Sequence, residues 1–276
     1  QEGFLSLTEG ASLVGVISAV TWGLGYFGQP HIIVRFMAID RVENVPRAGM
    51  IGMGWMVISL LGAVTVGLAG RAYAEANGLV VKDPETIFIV LANLLFHPAV
   101  TGFLYAALLA AIMSTISSQL LVTSSSLTED FYKAFVKRDA SQRELVLVGR
   151  LSVLAVALVA IMLAYDRESS ILTLVSNAWA GFGAAFGPLV VLSLYWKRMT
   201  FAGALAGILT GALTVLFWIY APVLADGATL SSLVYEILPG AIISTISIVV
   251  VSKLTPAPTD DITALFSKMR QQLHQQ

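Results

Sequence analysis

Windows of about twenty apolar residues, the length that crosses a bilayer core, recur along this chain roughly at 11–34, 48–70, 99–123, 145–165, 169–195, 200–222 and 229–252. No other feature narrows the fold so far. In lipid every backbone polar group must be paired inside the protein, and a helix does this within its own segment. The chain is therefore expected to be an all-α polytopic membrane protein with about seven transmembrane helices. Charge supports this, since only 12% of the 276 residues are charged and 57% are hydrophobic. That is about half the charged share of a soluble globular domain. A net charge of −1 points to neither nucleic acid nor an acidic partner. There is no cysteine, which excludes disulfides and thiolate metal sites. His31, His97 and His274 are far apart in sequence, and none has a carboxylate at ligand spacing.

Lysine and arginine fall on alternate connections. Arg35, Arg41 and Arg47 follow the first window, and Lys133, Lys137, Arg138, Arg143 and Arg150 follow the third. Lys197 and Arg198 follow the fifth, and Lys253, Lys268 and Arg270 follow the seventh. These are 13 of the 16 basic residues. The excess of basic residues on one side predicts a cytoplasmic C-terminus and places residue 1 outside. With no leader ahead of it and Gln1 in first place, the sequence is expected to be truncated, with at least one further span before it and residues 1–10 forming an outer loop.

Two connections carry local signals. The piece 85–96 is apolar but too short to cross; Asp83 and Pro84 before it have the character of a helix cap and a first helical residue. In 124–144, Ser126 and Glu129 have capping-box spacing, which predicts a separate connector helix with Phe131, Phe135 and Val136 on one apolar face. The windows at 169–195 and 200–222 carry small residues four apart (Gly181/Ala185, Gly183/Gly187, Gly203/Gly207/Gly211), spacing that lets helix backbones approach closely. Asn177, Trp179 and Pro188 are polar or kinking exceptions that could face a pathway.

The first window is interrupted at 21–31, Thr-Trp-Gly-Leu-Gly-Tyr-Phe-Gly-Gln-Pro-His. Glycine and proline break helices, and membranes tolerate a broken helix only where the freed backbone is buried in protein or lines a cavity. The stretch is either a packing kink or a binding site. No Asp, Glu or His lies near the middle of a span, which speaks against proton relays and leaves neutral oxygens to hold any ion. Ala111, Ser114, Thr115 and Ser118 share one face at spacing i, i+3, i+4, i+7. Their hydroxyls, joined by the Ala111 carbonyl, suit a hard monovalent cation such as Na⁺; alternatively they bond back to their own helix.

Together, Trp22-Gly-Leu-Gly-Tyr-Phe-Gly-Gln-Pro-His-Ile32, Arg35-Phe-Met-Ala38 and Ala110-Ala-Ile-Met-Ser-Thr-Ile-Ser-Ser-Gln-Leu-Leu121 running on to Leu127-Thr-Glu-Asp130 resemble the sodium/solute symporter family, in particular its proline carriers. The resemblance implies two five-helix units inverted relative to each other, as in neurotransmitter-type sodium symporters. Residues 1–198 would form the second unit, 199–253 two extra C-terminal helices, and 254–276 a cytoplasmic tail, all within one transporter domain. It further implies a non-enzymatic secondary transporter of the bacterial inner membrane, coupling Na⁺ entry to L-proline uptake by alternating access, with no cofactor beyond the coupling ion. By the resemblance, Trp22, Tyr26 and Pro30 shape the proline pocket along one side of the broken helix. Ala111, through its carbonyl, and Ser114 and Thr115, through their hydroxyls, bind sodium, two further ligands lying outside this sequence. The rivals are a symporter for another solute (a different amino acid, a vitamin or a sugar), a transporter-like sensor, and a purely structural bundle.

Overall fold

A computed structural model describes residue 10 and residues 12–165, 170–225 and 227–274. The expectation for the outer loop at 1–10 falls almost wholly outside the described residues. Every regular element among them is a helix, with no strand. Six helical stretches are long and apolar enough to cross a membrane: Val42–Ala76, Pro98–Val136, Gln142–Leu163, Ile171–Tyr195, Phe201–Tyr220 and Ile237–Leu254. The seventh predicted span, at 11–34, is divided. Helix α1 (Leu13–Thr21) has 9 residues, a 3₁₀ turn covers Trp22–Phe27, and α2 (Pro30–Met37) has 8. At ~1.5 Å per residue α1 is only about 14 Å long, against a hydrocarbon core of about 30 Å. The glycines and Pro30 account for the interruption.

The chain forms two compact units. One, residues 39–163, contains α3 (Val45–Ala76), α4 (Ile87–Leu95), α5 (Pro98–Ser125) and α6 (Gln142–Leu163). The cap expected before 85–96 is present. The Asp83 carboxylate accepts the Glu85 N–H at 2.9 Å, and Pro84 opens a 3₁₀ turn that leads into α4. Thr101 in the first turn of α5 donates to the Ala92 carbonyl at 2.8 Å, and Ile87 and Leu91 fill the space beside Gly70 of α3. The short helix is thereby fastened to both neighbours.

The connector helix predicted from Ser126 and Glu129 does not begin there. α5 runs straight on into a wider, π-helical stretch, Ser126–Val136. Thr128 donates back to the Ser124 carbonyl at 2.7 Å, and Glu129 pairs with Lys133 at 3.0 Å instead of capping. A capping box needs a chain entering a helix from extended backbone; Ser126 (φ −61°, ψ −42°) already has helical backbone. Phe131 and Phe135 do lie together, ring centroids 5.8 Å apart, on an exposed apolar face with Val136.

The other unit takes in the residues up to 38 and from 164 onward. It holds α1, the 3₁₀ turn, α2, α7 (Ile171–Tyr195), α8 (Phe201–Tyr220), α9 (Ile237–Leu254) and α10 (Asp260–His274). Its core is small: Ala180 and Ala184 of α7, Val215 of α8 and Ile237 of α9, with Trp179, Ile219 and Tyr235 against them. Small residues set this spacing, as their intervals predict. A side chain on Gly203 or Gly207 would run into Ser252 or Ile248 of α9, and one on Gly211 would meet the Ala184 carbonyl at 2.5 Å. Pro188 has no N–H to offer that carbonyl, and α8 packs directly against it. Gly181, by contrast, faces open space.

Candidate functional site

The glycines of the interruption are not equivalent. Gly25 and Gly28 are packing positions. A Cβ on Gly25 would overlap the Trp179 indole, and one on Gly28 would overlap the Phe182 carbonyl and lie 2.7 Å from the Gly183 Cα. Gly183 and Gly187 of α7 answer them, the first against Gly25 and Ile237, the second against the Leu24 carbonyl at 3.1 Å. A Cβ on Gly23 would meet nothing within 4 Å among the described residues. The 3₁₀ turn therefore lies backbone-to-backbone on α7, a fit that larger residues would prevent.

Against α7 the aromatic residues gather. Trp22 stacks on Trp179 with centroids 5.6 Å apart and planes 17° from parallel, and Tyr26 meets the same indole edge-on at 4.8 Å and 84°. The Trp179 indole N–H donates to the Trp22 carbonyl at 2.9 Å, across 157 residues of sequence. Tyr235, just before α9, also stacks on Trp22 at 5.7 Å and 15°. Gln29 then breaks the winding with an extended backbone (φ −85°, ψ 112°), and Pro30 begins α2. The Gln29 side chain is buried, and its amide nitrogen has no hydrogen-bond partner among the described residues.

Of the three predicted pocket residues, Trp22 and Tyr26 converge on one ring. The ring contacts do not extend to Pro30, whose place is the first residue of α2. The fourfold spacing expected to align all three holds only in an α-helix; 3₁₀ winding has about three residues per turn, and Gln29 interrupts even that. A neighbouring groove lined by Leu24, Phe27, Pro188, Leu238 and Ile242 is apolar almost throughout and offers nothing to a charged amino acid. The aromatic cluster of Trp22, Tyr26, Trp179 and Tyr235 offers an apolar wall, and the buried Gln29 amide lies three residues along the chain from Tyr26.

The predicted ion face lies on α5, in the other unit. It is unbroken helix from Pro98 to Ser125, so Ala111, Ser114, Thr115 and Ser118 keep their common face. The Thr115 hydroxyl donates to the Ala111 carbonyl at a long 3.4 Å, and Ser118 donates to the Thr115 carbonyl at 2.8 Å. Ala111, Ser114 and Thr115 are exposed. These oxygens are neutral and adjacent; the Thr115 hydroxyl is weakly engaged, while the Ala111 carbonyl sits within unbroken helix.

Sequence reasoning named Trp179 only as an exception within its span, and missed Tyr235 and Gln29. For Gln29 a signal existed: it is the one amide inside the break. For Tyr235 there was none, since its partner Trp22 lies more than 200 residues away.

Residues 8–211 match the model of the sodium:solute symporter family. The chain belongs to that family. It is 57% identical over 270 residues to the high-affinity proline transporter PutP of Bacillus subtilis (strain 168), covering 98% of this chain and 56% of that protein. To the osmoregulated proline transporter OpuE of the same strain it is 54% identical over 269 residues, covering 98% and 54%. To a sodium/proline symporter of Staphylococcus aureus it is 55% identical over 270 residues, covering 96% and 53%. The chain thus spans about half the length of the curated relatives it matches. No solved structure matches it. Both predicted motifs, and Trp179, lie within the family match; Tyr235 lies beyond it.

Proposed function

We propose that the chain belongs to a secondary active transporter that couples inward Na⁺ movement to uptake of L-proline. The observation that carries this is the convergence of Trp22 and Tyr26 on Trp179 at a helix break, in a chain whose relatives are named proline transporters. An aromatic wall suits the apolar pyrrolidine ring. The amino and carboxylate groups need polar partners in a site otherwise poor in them, and an unpaired buried donor has most to gain. The Gln29 amide nitrogen is such a donor, available to a carboxylate. Pro30, by setting where α2 begins, fixes where the break ends.

Ala111, Ser114 and Thr115 hold the ion, and further ligands from outside this chain complete its shell. Ion binding trades the long Thr115 bond for coordination and stabilises the outward-open state. Substrate then permits rocking between the two orientations, the ion leaving with proline on the cytoplasmic side. The architecture in this reading is the inverted five-plus-five arrangement of neurotransmitter-type sodium symporters, with α8 and α9 as additions. The protein lies in a bacterial plasma membrane, its C-terminus cytoplasmic, as the basic residues favour.

The test is uptake of labelled proline by the complete transporter in cells lacking their own proline carriers, with and without a Na⁺ gradient, against a panel of other amino acids, sugars and vitamins. Proline uptake should need Na⁺ and exceed that of every other solute. Gradient-independent uptake, or preference for another solute, would contradict the proposal.

A further inference from the structure

Trp22 is not held by its own backbone alone. Trp179 and Tyr235 both lie near-parallel to it, at 5.6 Å and 5.7 Å, and each is itself anchored. Trp179 donates its N–H to the Trp22 carbonyl and occupies the space that Gly25 leaves by having no side chain. Tyr235 is tied at both ends. Its backbone N–H donates to the Ser18 hydroxyl on α1 at 3.2 Å, and its phenol donates to the Ser176 carbonyl on α7 at 2.9 Å. Its ring packs on the Ala180, Ala184, Val215 and Ile237 core. An aromatic side chain with its polar handle bonded and its ring in contact has little rotamer freedom left. Trp22 cannot leave its present rotamer without losing both ring contacts.

We propose that Trp179 and Tyr235 are positioning residues of the substrate pocket, holding the Trp22 ring, and through Trp179 the Tyr26 ring, in the orientation that receives the pyrrolidine ring. The inference rests on Trp22 and Tyr26 being pocket residues. It carries the support of the pocket past the 8–211 family match to the start of α9, so a C-terminal helix contributes to substrate affinity. Preorganisation is the physical currency: a ring already ordered need not be ordered by the ligand. The two supports also separate chemically. Phenylalanine in place of Trp179 keeps a ring and loses the donor to the Trp22 carbonyl. Phenylalanine in place of Tyr235 keeps the stack and loses the bond to Ser176.

The experiment measures uptake by the complete transporter carrying Trp179→Phe, Trp179→Ala, Tyr235→Phe, Tyr235→Ala or Trp22→Ala. Proline half-saturation, maximal rate per inserted molecule and Na⁺ half-saturation are read for each. Loss of one hydrogen bond should raise proline half-saturation about three- to tenfold, and loss of the ring as well by more than about tenfold. Na⁺ half-saturation measured at saturating proline should stay within about twofold. If the alanine variants change only the amount of protein or its maximal rate, while Trp22→Ala does shift proline half-saturation, the clamp is wrong and the pocket stands. If Trp22→Ala is also without effect, the pocket assignment falls and the clamp with it. Should an alanine variant fail to reach the membrane, the phenylalanine variants decide: a shift in proline half-saturation supports the clamp, and none overturns it.

Discussion

Gln29 combines two properties rarely found together, a buried amide and a nitrogen with nothing to bond among the described residues. A donor left in that state costs about 1–3 kcal/mol, so removing it should not weaken the substrate-free protein. Gln29→Met, close in volume and apolar, is expected to leave the melting temperature of purified transporter without proline unchanged or raised, and to shrink the rise that proline produces. A fall in the proline-free melting temperature would mean that Gln29 already has a structural partner. From the residues alone the break at 21–31 was legible as either a packing kink or a site, and it was the family resemblance that singled out Trp22 and Tyr26 within it. Their convergence on Trp179 was not legible, because that contact crosses 157 residues and leaves no local periodicity.

At the scale of elements, the glycines of one motif are not equivalent, and spacing alone did not separate them. Gly25 and Gly28 admit α7; a Cβ on Gly23 would touch nothing within 4 Å. Gly25→Ala and Gly28→Ala should therefore lower the thermal stability of the transporter by about 1–3 kcal/mol or more, while Gly23→Ala leaves it within about 0.5 kcal/mol. Thermal unfolding in detergent reads this directly, and equal losses at all three positions would contradict the packing described. The stripe Gly203/Gly207/Gly211 was correctly legible as a helix-packing seam, because small residues four apart in an apolar helix have that one common use. The capping box at Ser126 was misread for a definable reason. Its residue types fit, but the backbone arriving there was already helical, and a motif cannot start a helix that has not stopped. The 3₁₀ winding of Trp22–Phe27 was likewise beyond pattern reading. The turn packs on α7 through contacts that span more than 150 residues of sequence.

For the whole molecule, charge and hydropathy made the class and most of the spans legible. Six were found intact, and the seventh was divided at the residues that had marked it as unusual. The distribution of lysine and arginine makes a separate prediction. A reporter active only in the cytoplasm, fused after His274, should be active, and one active only outside the cytoplasm should be silent; the reverse pattern would invert the proposed orientation. The assignment of two separate jobs, substrate at the break and ion on the α5 face, is what the account most depends on. Its most direct test is a paired titration of Na⁺ and proline on the complete transporter with Trp22→Ala and with Thr115→Ala. Thr115→Ala should raise Na⁺ half-saturation about tenfold and Trp22→Ala should raise proline half-saturation instead; equal loss of sodium affinity in both variants would contradict the account.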